Sequence, residues 1–161
     1  MMQPLPFRLA VPGIDDVEGL GARSVSIKVE GLAHWDGEQL TLEWVETHHI
    51  DEVSIERVRS EVVAQPSLIL DVPMDVLASA GLLGGWWRPR VELRARYLSA
   101  FANVPGAKPG RLDLRIGYRH RPVARELVAL VNAAIAGAPE LPPASDLGAL
   151  EPITTDPAIG G

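Results

Sequence analysis

The sequence has no cysteine and few lysines, and both shortages exclude specific chemistry. Without cysteine there can be no disulfide, no thiolate nucleophile and no cysteine-based metal site. The absence of cysteine also suits the reducing cytosol. The only lysines are Lys28 and Lys108. Neither completes a G-x-x-x-x-G-K pattern, so a phosphate-binding loop with its lysine is excluded.

Long hydrophobic runs are missing as well. The uncharged run over residues 76–87 is well short of the roughly 20 residues that a membrane-spanning helix needs. Near the N-terminus, Pro4, Pro6 and Arg8 interrupt the apolar residues, whereas a secretory signal needs an unbroken apolar stretch. We therefore expect a cytoplasmic protein without a membrane span.

Aromatic residues other than tryptophan are rare, with two Phe and two Tyr beside four Trp. The chain of 161 residues is 47% hydrophobic and 22% charged, which is the composition of one globular domain. Its core must therefore consist mainly of aliphatic side chains, with the tryptophans as the largest packing units.

Recognisable catalytic and metal-binding patterns are also absent. There is no G-x-S-x-G motif, and the carboxylates are scattered rather than paired. The histidines lack the i, i+4 spacing of a helical metal site, and His48 and His49 would diverge on a strand. Asp51 and Glu52 beside that pair leave a metal site as a weak alternative. We expect no enzyme activity, no cofactor and no bound metal.

Alternation of apolar and polar residues predicts a mainly β fold with antiparallel strands. The Asp36-Gly37 dipeptide between the first two alternating runs predicts a hairpin. Residues 47–65 fit a helical stripe as well as a strand, so their structure stays open. The predicted strands cover residues 24–30, 40–45, 67–72, 75–83, 90–96 and 111–118.

The period changes to that of an amphipathic helix over residues 122–136. Leu127, Val131 and Ile135 lie on its inner side, where we expect them to close the β domain. Gly137 gives the helix its stop.

These elements divide the chain into three parts. Residues 1–22 are an expected N-terminal arm, and residues 23–137 form the β domain with its C-terminal helix. Residues 138–161 carry no apolar periodicity and several prolines, which is typical of an extended tail.

The stretch GGWWRPR, residues 84–90, places two tryptophans between a glycine pair and two arginines. One interpretation is an exposed aromatic and guanidinium surface that binds a partner. The interpretation that we favour is a glycine corner leading into a strand. The inward parity of Val91 and Leu93, continued backwards, then places Trp87 inside and Trp86 outside.

Charge is distributed unevenly along the chain. Residues 86–125 carry a net charge of +8, whereas residues 1–85 carry −9 and residues 126–161 carry −5. We expect the basic late strands to pair with, or face, the acidic early strands and tail. The candidate binding surface in this basic segment comprises Trp86, Arg88, Arg90, Arg94, Arg96 and Arg115.

A run of strands followed by one amphipathic helix resembles the pleckstrin-homology-like (PH-like) superfold. The segments LILDVPMDV, GGWWRPRVELRAR and RLDLRIGYRHRPVARELV are similar to uncharacterised bacterial members of that superfold. The resemblance covers about residues 24 to 136 and implies a barrel or sandwich of antiparallel strands capped by the helix. It also implies a non-catalytic scaffold that binds a protein or peptide, sometimes a second copy of itself.

In lipid-binding relatives, basic residues in the loop after the first strand hold the phosphoinositide headgroup. Here that loop offers Asp36 and Glu38 and no lysine or arginine, so phosphoinositide binding is not expected. We therefore expect a non-enzymatic protein or peptide interaction module, with self-association as one form of it. The alternative is an anionic-ligand or nucleic-acid binding domain that uses residues 86–125, although nucleic-acid binding is not expected.

Overall fold

The computed structural model describes residues 2–137 and 148–155, which form a mainly antiparallel β structure with one C-terminal α-helix. The strands are β1 (Leu5–Leu9), β2 (Ile14–Glu18), β3 (Gly21–Trp35), β4 (Gln39–Val53), β5 (Val58–Ala64), β6 (Ser67–Pro73), β7 (Leu77–Leu83), β8 (Arg90–Ala95), β9 (Arg111–Arg115) and β10 (Ile153–Thr155). A short 3-10 helix (Tyr118–His120) precedes the α-helix α1 (Arg121–Ala136).

All strands belong to one sheet with the order β10-β6-β4-β3-β1-β9-β8-β7, to which β2 and β5 add by pairing with β3 and β4. Every ladder is antiparallel, which confirms the mainly β prediction. Within the described residues no ladder joins β7 to β10, so the sheet remains open and a closed barrel is not formed.

The hairpin of β3 and β4 is the longest element, with strands of 15 residues each. Asp36 shapes its turn by accepting hydrogen bonds of 2.8 Å from the backbone N–H groups of Glu38 and Gln39. These bonds favour the ionised carboxylate, with that from Gln39 contributing most, and so lower the pKa of Asp36. The predicted hairpin is confirmed.

The outer part of this hairpin extends past the core and forms a four-stranded wing. The wing consists of β2, residues 21–28 of β3, residues 47–53 of β4, and β5. Residues 47–65, which fitted both a helix and a strand, therefore lie mainly in strands. Valines on the wing such as Val53, Val58 and Val62 are exposed, so burial imposes little alternation on this part of the sequence.

The expected N-terminal arm over residues 1–22 is wrong for most of its length: residues 5–9 form β1 between β3 and β9, residues 14–18 form β2, and β3 begins at Gly21. Leu5, Phe7 and Leu9 are buried in the core. Part of the expected tail also belongs to the fold: Leu150 donates its N–H to the carbonyl of Ala100, and β10 pairs with β6. Residues 138–147 and 156–161 of that tail lie outside the described residues.

One hydrophobic core combines residues of the sheet with residues of α1. It is mainly aliphatic, with Phe7, Trp44 and Phe101 as large buried side chains. Gly31 permits this packing, because a Cβ at that position would collide with the ring of Phe7 and the Cβ of Trp44. Tyr118, the last residue of the predicted strand 111–118, lies instead in the 3-10 helix and is exposed.

The helix α1 packs against β7 and buries Leu127 and Val131, as its periodicity predicted. Ile135, also predicted on the inner side, is only partly buried, whereas Ala124 is fully buried. Asn132 joins the helix to the free edge of β7. Its side-chain amide donates a hydrogen bond of 2.8 Å to the carbonyl of Ala80, and its oxygen accepts one of 3.0 Å from the N–H of Ala80. In the described part of the chain, no helix has the length and apolar character needed to cross a membrane.

Candidate functional site: an arginine and tryptophan cleft

The loop between β7 and β8, residues 84–89, makes a fixed corner. Gly84 has φ of 72°, and a Cβ there would collide with the carbonyl oxygen of Arg88. The N–H of Ile116 donates a hydrogen bond of 3.0 Å to the carbonyl of Pro89, which ties the loop to the end of β9. The predicted glycine corner is therefore confirmed.

The two tryptophans of this loop both face solvent, with Trp86 70% and Trp87 68% exposed. Their rings stack with centroids 6.2 Å apart and planes 19° apart. The predicted inward position of Trp87 is wrong, because β8 begins only at Arg90 and strand parity does not continue into the loop. Two stacked, exposed indoles form a flat apolar surface of the kind found at binding sites.

Three arginines lie in one row on the outer face of neighbouring strands. Arg115 of β9 is directly opposite Arg8 of β1 on one side and Arg90 of β8 on the other. The expectation that late basic strands face acidic ones is wrong at this row. Like charges directly opposite one another destabilise a sheet unless a counter-charge compensates them.

The neighbouring row on the same face contains the acidic residues Glu92 and Asp113, which lie directly opposite each other. Glu92 is buried and forms ion pairs with Arg94 and, at 3.2 Å, with Arg111. Arg111 also pairs with Asp113 at 2.8 Å. This hydrogen-bonded pair lowers the pKa of Asp113 and raises that of Arg111. Arg94, a residue of the candidate surface, is thus already engaged with Glu92.

The positive charges of Arg8, Arg90 and Arg115 differ in how far acidic neighbours compensate them. Arg8 forms an ion pair of 3.4 Å with Glu30, whose carboxylate also pairs with Lys28 at 3.1 Å. Among the described residues, neither Arg90 nor Arg115 has an acidic partner within ion-pair distance. The Nε of Arg90 is buried and has no hydrogen-bond partner in the described residues. Arg90 still interacts electrostatically with Asp113, which helps to lower the pKa of that carboxyl, so the excess of positive charge is greatest at Arg115.

These residues surround an open cleft of about 950 Å³. Of the candidate surface, Arg88, Arg90 and Arg115 line the cleft. Trp86 does not line it but stacks on Trp87, which does. Arg96 lies outside, and its Nε donates a hydrogen bond of 3.1 Å to the carbonyl of Leu77.

The structure adds Arg8, Trp87 and His120 to the lining of the cleft. Arg8 is not among the predicted site residues, because it lies in the segment 1–22 that was expected to be an arm. Alternation in the segment LPFRL could have revealed the strand, since Leu5, Phe7 and Leu9 are apolar while Arg8 faces the other side. No sequence signal shows that β1 and β9 are neighbours.

The chemistry of this cleft is that of anion recognition. Guanidinium groups offer planar pairs of N–H donors that match a carboxylate or phosphate. Across residues 2–137 and 148–155, no group of three or more His, Asp or Glu side chains is arranged to hold a metal ion.

No family model, curated protein or solved structure matches this chain.

Proposed function

We propose that this protein is a non-enzymatic interaction module that binds an acidic segment of a protein or peptide in the arginine and tryptophan cleft. The observation that carries this proposal is the row of Arg8, Arg115 and Arg90 across three strands. A carboxylate bound between two of these guanidinium groups compensates their mutual repulsion. It also offers an acceptor near the buried Nε of Arg90.

The exposed tryptophan pair favours a peptide over a simple anion. Trp86 and Trp87 together offer a flat apolar surface beside the arginines. An acidic peptide with an apolar or aromatic side chain next to its carboxylates contacts both parts of this site at once. Tryptophan and arginine are also the residues that most often dominate the binding energy of protein interfaces.

The net charge of the whole chain favours a short acidic peptide over a nucleic acid. The chain carries a net charge of −6, so a long polyanion is repelled by most of the molecule. Nucleic-acid binding draws most of its affinity from many phosphate contacts. This cleft offers the few arginines of one row, which suffice for two or three carboxylates.

We further propose that the fold is PH-like and that the module acts in the cytoplasm. The support for the PH-like proposal is an antiparallel β structure followed by a single C-terminal helix that packs on the core. Such modules are non-catalytic and bind partners on their surface, as we propose for this cleft, which four arginines and Trp87 line together with Glu30.

A peptide-binding assay tests the proposed function. The probe is a fluorescein-labelled peptide of alternating glutamate and leucine, with a glutamine version as the uncharged control. We expect Arg115→Gln to weaken binding of the glutamate peptide about tenfold, which corresponds to about 1.4 kcal/mol. Arg96→Gln is the matched control, since Arg96 is an exposed arginine outside the cleft. It should bind as the parent does.

Two results would contradict the proposal. One is equal binding of the glutamate and glutamine peptides, because the arginines would then contribute no recognition. The other is tight binding of single-stranded DNA that weakens steeply with salt and is lost in Arg115→Gln. That outcome would establish the nucleic-acid alternative.

A further inference from the structure

The free edges of the sheet differ in how they are protected. The edge of β7 is hydrogen-bonded by Asn132 and covered by α1. The edge of β6 carries β10. The short edge strand β2 contains the adjacent acidic residues Asp15 and Asp16, which repel a second copy of the same strand.

Among the described residues, the edge strand β5 has neither a covering element nor two adjacent like charges, since its charged side chains, Arg59 and Glu61, have opposite signs and form an ion pair of 3.7 Å within the strand. Its seven residues, VRSEVVA, contain no proline and no lysine. In the described part of the chain β5 pairs only with β4, so its other side has no strand partner. An uncovered edge strand presents unpaired N–H and C=O groups that can pair with another strand.

The hydrogen-bond phase of the β4–β5 ladder shows which groups of β5 face outward. Ser54 and Arg57 exchange backbone hydrogen bonds at one end, and the N–H of Gln65 bonds the carbonyl of Glu46 at the other. Bonded pairs alternate in an antiparallel ladder, so the odd-numbered residues of β5 bond to β4. The outward N–H and C=O groups therefore belong to Val58, Ser60, Val62 and Ala64.

The side chains of β5 are complementary to a second, antiparallel copy of β5 centred on Ser60. In this register Val58 lies opposite Val62 of the second copy, and these two valines are 74% and 63% exposed. On the other face Arg59 lies opposite Glu61 of the second copy. This ion pair falls at a non-hydrogen-bonded position, where opposing side chains come closest.

Neighbouring registers lose this complementarity. Pairing centred on Arg59 places two arginines directly opposite each other, and pairing centred on Glu61 does the same with two glutamates. A shift of the pairing by a single residue places the even-numbered residues of one β5 opposite odd-numbered residues of the other. The N–H and C=O groups of the odd-numbered residues are bonded to β4, so they cannot complete the new ladder. Charge and hydrogen-bond phase thus select the same centre, Ser60.

We propose that two copies of this protein associate through antiparallel pairing of β5 with β5, centred on Ser60. The three pairs that exchange backbone hydrogen bonds are Val58 with Val62, Ser60 with Ser60, and Val62 with Val58. The two sheets become one continuous sheet across the dimer axis. This proposal is independent of the arginine and tryptophan cleft, whose residues lie outside the wing.

Charge reversal tests the pairing in the full-length chain by sedimentation velocity over a concentration series. The parent should dimerise with increasing concentration. Glu61→Arg and Arg59→Glu should each weaken self-association about tenfold or more, because each places like charges opposite one another. An equal mixture of the two variants should restore association, since every opposed pair is then oppositely charged. Glu38→Arg, an exposed position in the turn at the other end of the β3–β4 hairpin, is the control and should leave dimerisation unchanged.

Hydrogen exchange tests the strand pairing itself. The amides of Val58, Ser60 and Val62 should gain protection as concentration rises, whereas those of Arg59 and Glu61 are already bonded to β4 in the monomer. A parent that stays monomeric up to millimolar concentration would overturn the proposal. So would a dimer whose Val58, Ser60 and Val62 amides remain unprotected, because another surface would then hold it.

A variant ending at Thr155 tests whether the remaining C-terminal residues occupy this edge. If the full chain is monomeric and the shortened chain dimerises, the chain's own C-terminal segment covers β5 and the proposal is wrong for the full chain. If both dimerise with the same response to Glu61→Arg, the edge is shared between two copies as proposed.

Discussion

Leu127 on the inner face of α1 provides the sharpest test of how the helix stabilises this fold. It is 1% exposed and lies between Ala124 and Val131, which are also fully buried. Leu127→Ala removes three carbons from this contact with the sheet. If α1 completes the core, Leu127→Ala must lower the free energy of unfolding by as much as truncation of a core side chain does.

The expected magnitude follows from this burial. Transfer of three buried carbon groups back to water costs about 0.8 kcal/mol each, or about 2.4 kcal/mol in all. The cavity that remains adds to this value, so the total loss of unfolding free energy should be about 2–5 kcal/mol. The higher helix propensity of alanine offsets only a few tenths of a kcal/mol.

Urea unfolding followed by far-ultraviolet circular dichroism measures this change directly. Leu130→Ala is the matched control, since Leu130 is on the same helix but 37% exposed. It makes the same chemical change and should cost about 1 kcal/mol or less. If Leu127→Ala were no more destabilising than Leu130→Ala, α1 would be peripheral and its assignment to the core would be wrong.

Three other residues or residue pairs give independent tests. Asn132→Ala should lower the unfolding free energy by about 1 kcal/mol, because two hydrogen bonds to the edge of β7 are lost from an exposed side chain. A urea midpoint of Asn132→Ala equal to that of the parent would contradict this expectation. The hydrogen bond from Arg111 is the main cause of the lowered pKa of Asp113. The stability that the ionised Asp113 contributes is therefore fully present above its unfolded pKa of about 3.9, and it is lost as pH falls through the lower folded pKa. Asp113→Asn should flatten the fall in stability below about pH 4, and an unchanged acid titration of stability would disprove this. Trp86→Phe and Trp87→Phe should each remove a similar share of the fluorescence that acrylamide quenches, because both rings are exposed; loss from only one would show that the other is shielded.

The wing shows why part of the sheet could not be predicted from sequence. Alternation arises where one face of a strand is buried and the other is solvated. In residues 47–65 this contrast is weak, since Val53, Val58 and Val62 face solvent on strands that extend beyond the core. The antiparallel register of β3 and β4 determines these strands, and only the tertiary structure shows it.

The tryptophan loop shows a different limit. Parity counted back from Val91 assumes a continuous strand, but Gly84 and Pro89 bracket a loop in which side-chain direction follows no fixed period. Trp87 is therefore exposed where parity predicted burial. Asn132 gives the converse case, because its polar position on the helical wheel does not reveal that it bonds the β7 edge.

What the sequence determined by itself is the local structure that periodicity encodes. The strands β3, β6, β8 and β9, the Asp36-Gly37 hairpin and the inner face of α1 follow from spacing and turn chemistry, since these act between neighbouring residues. What only the tertiary structure decided is the strand order. Arg8 and Arg115 are far apart in the chain, yet they lie directly opposite each other because β1 inserts between β3 and β9. The charge of that row, and with it the candidate site, exists only once distant strands are paired.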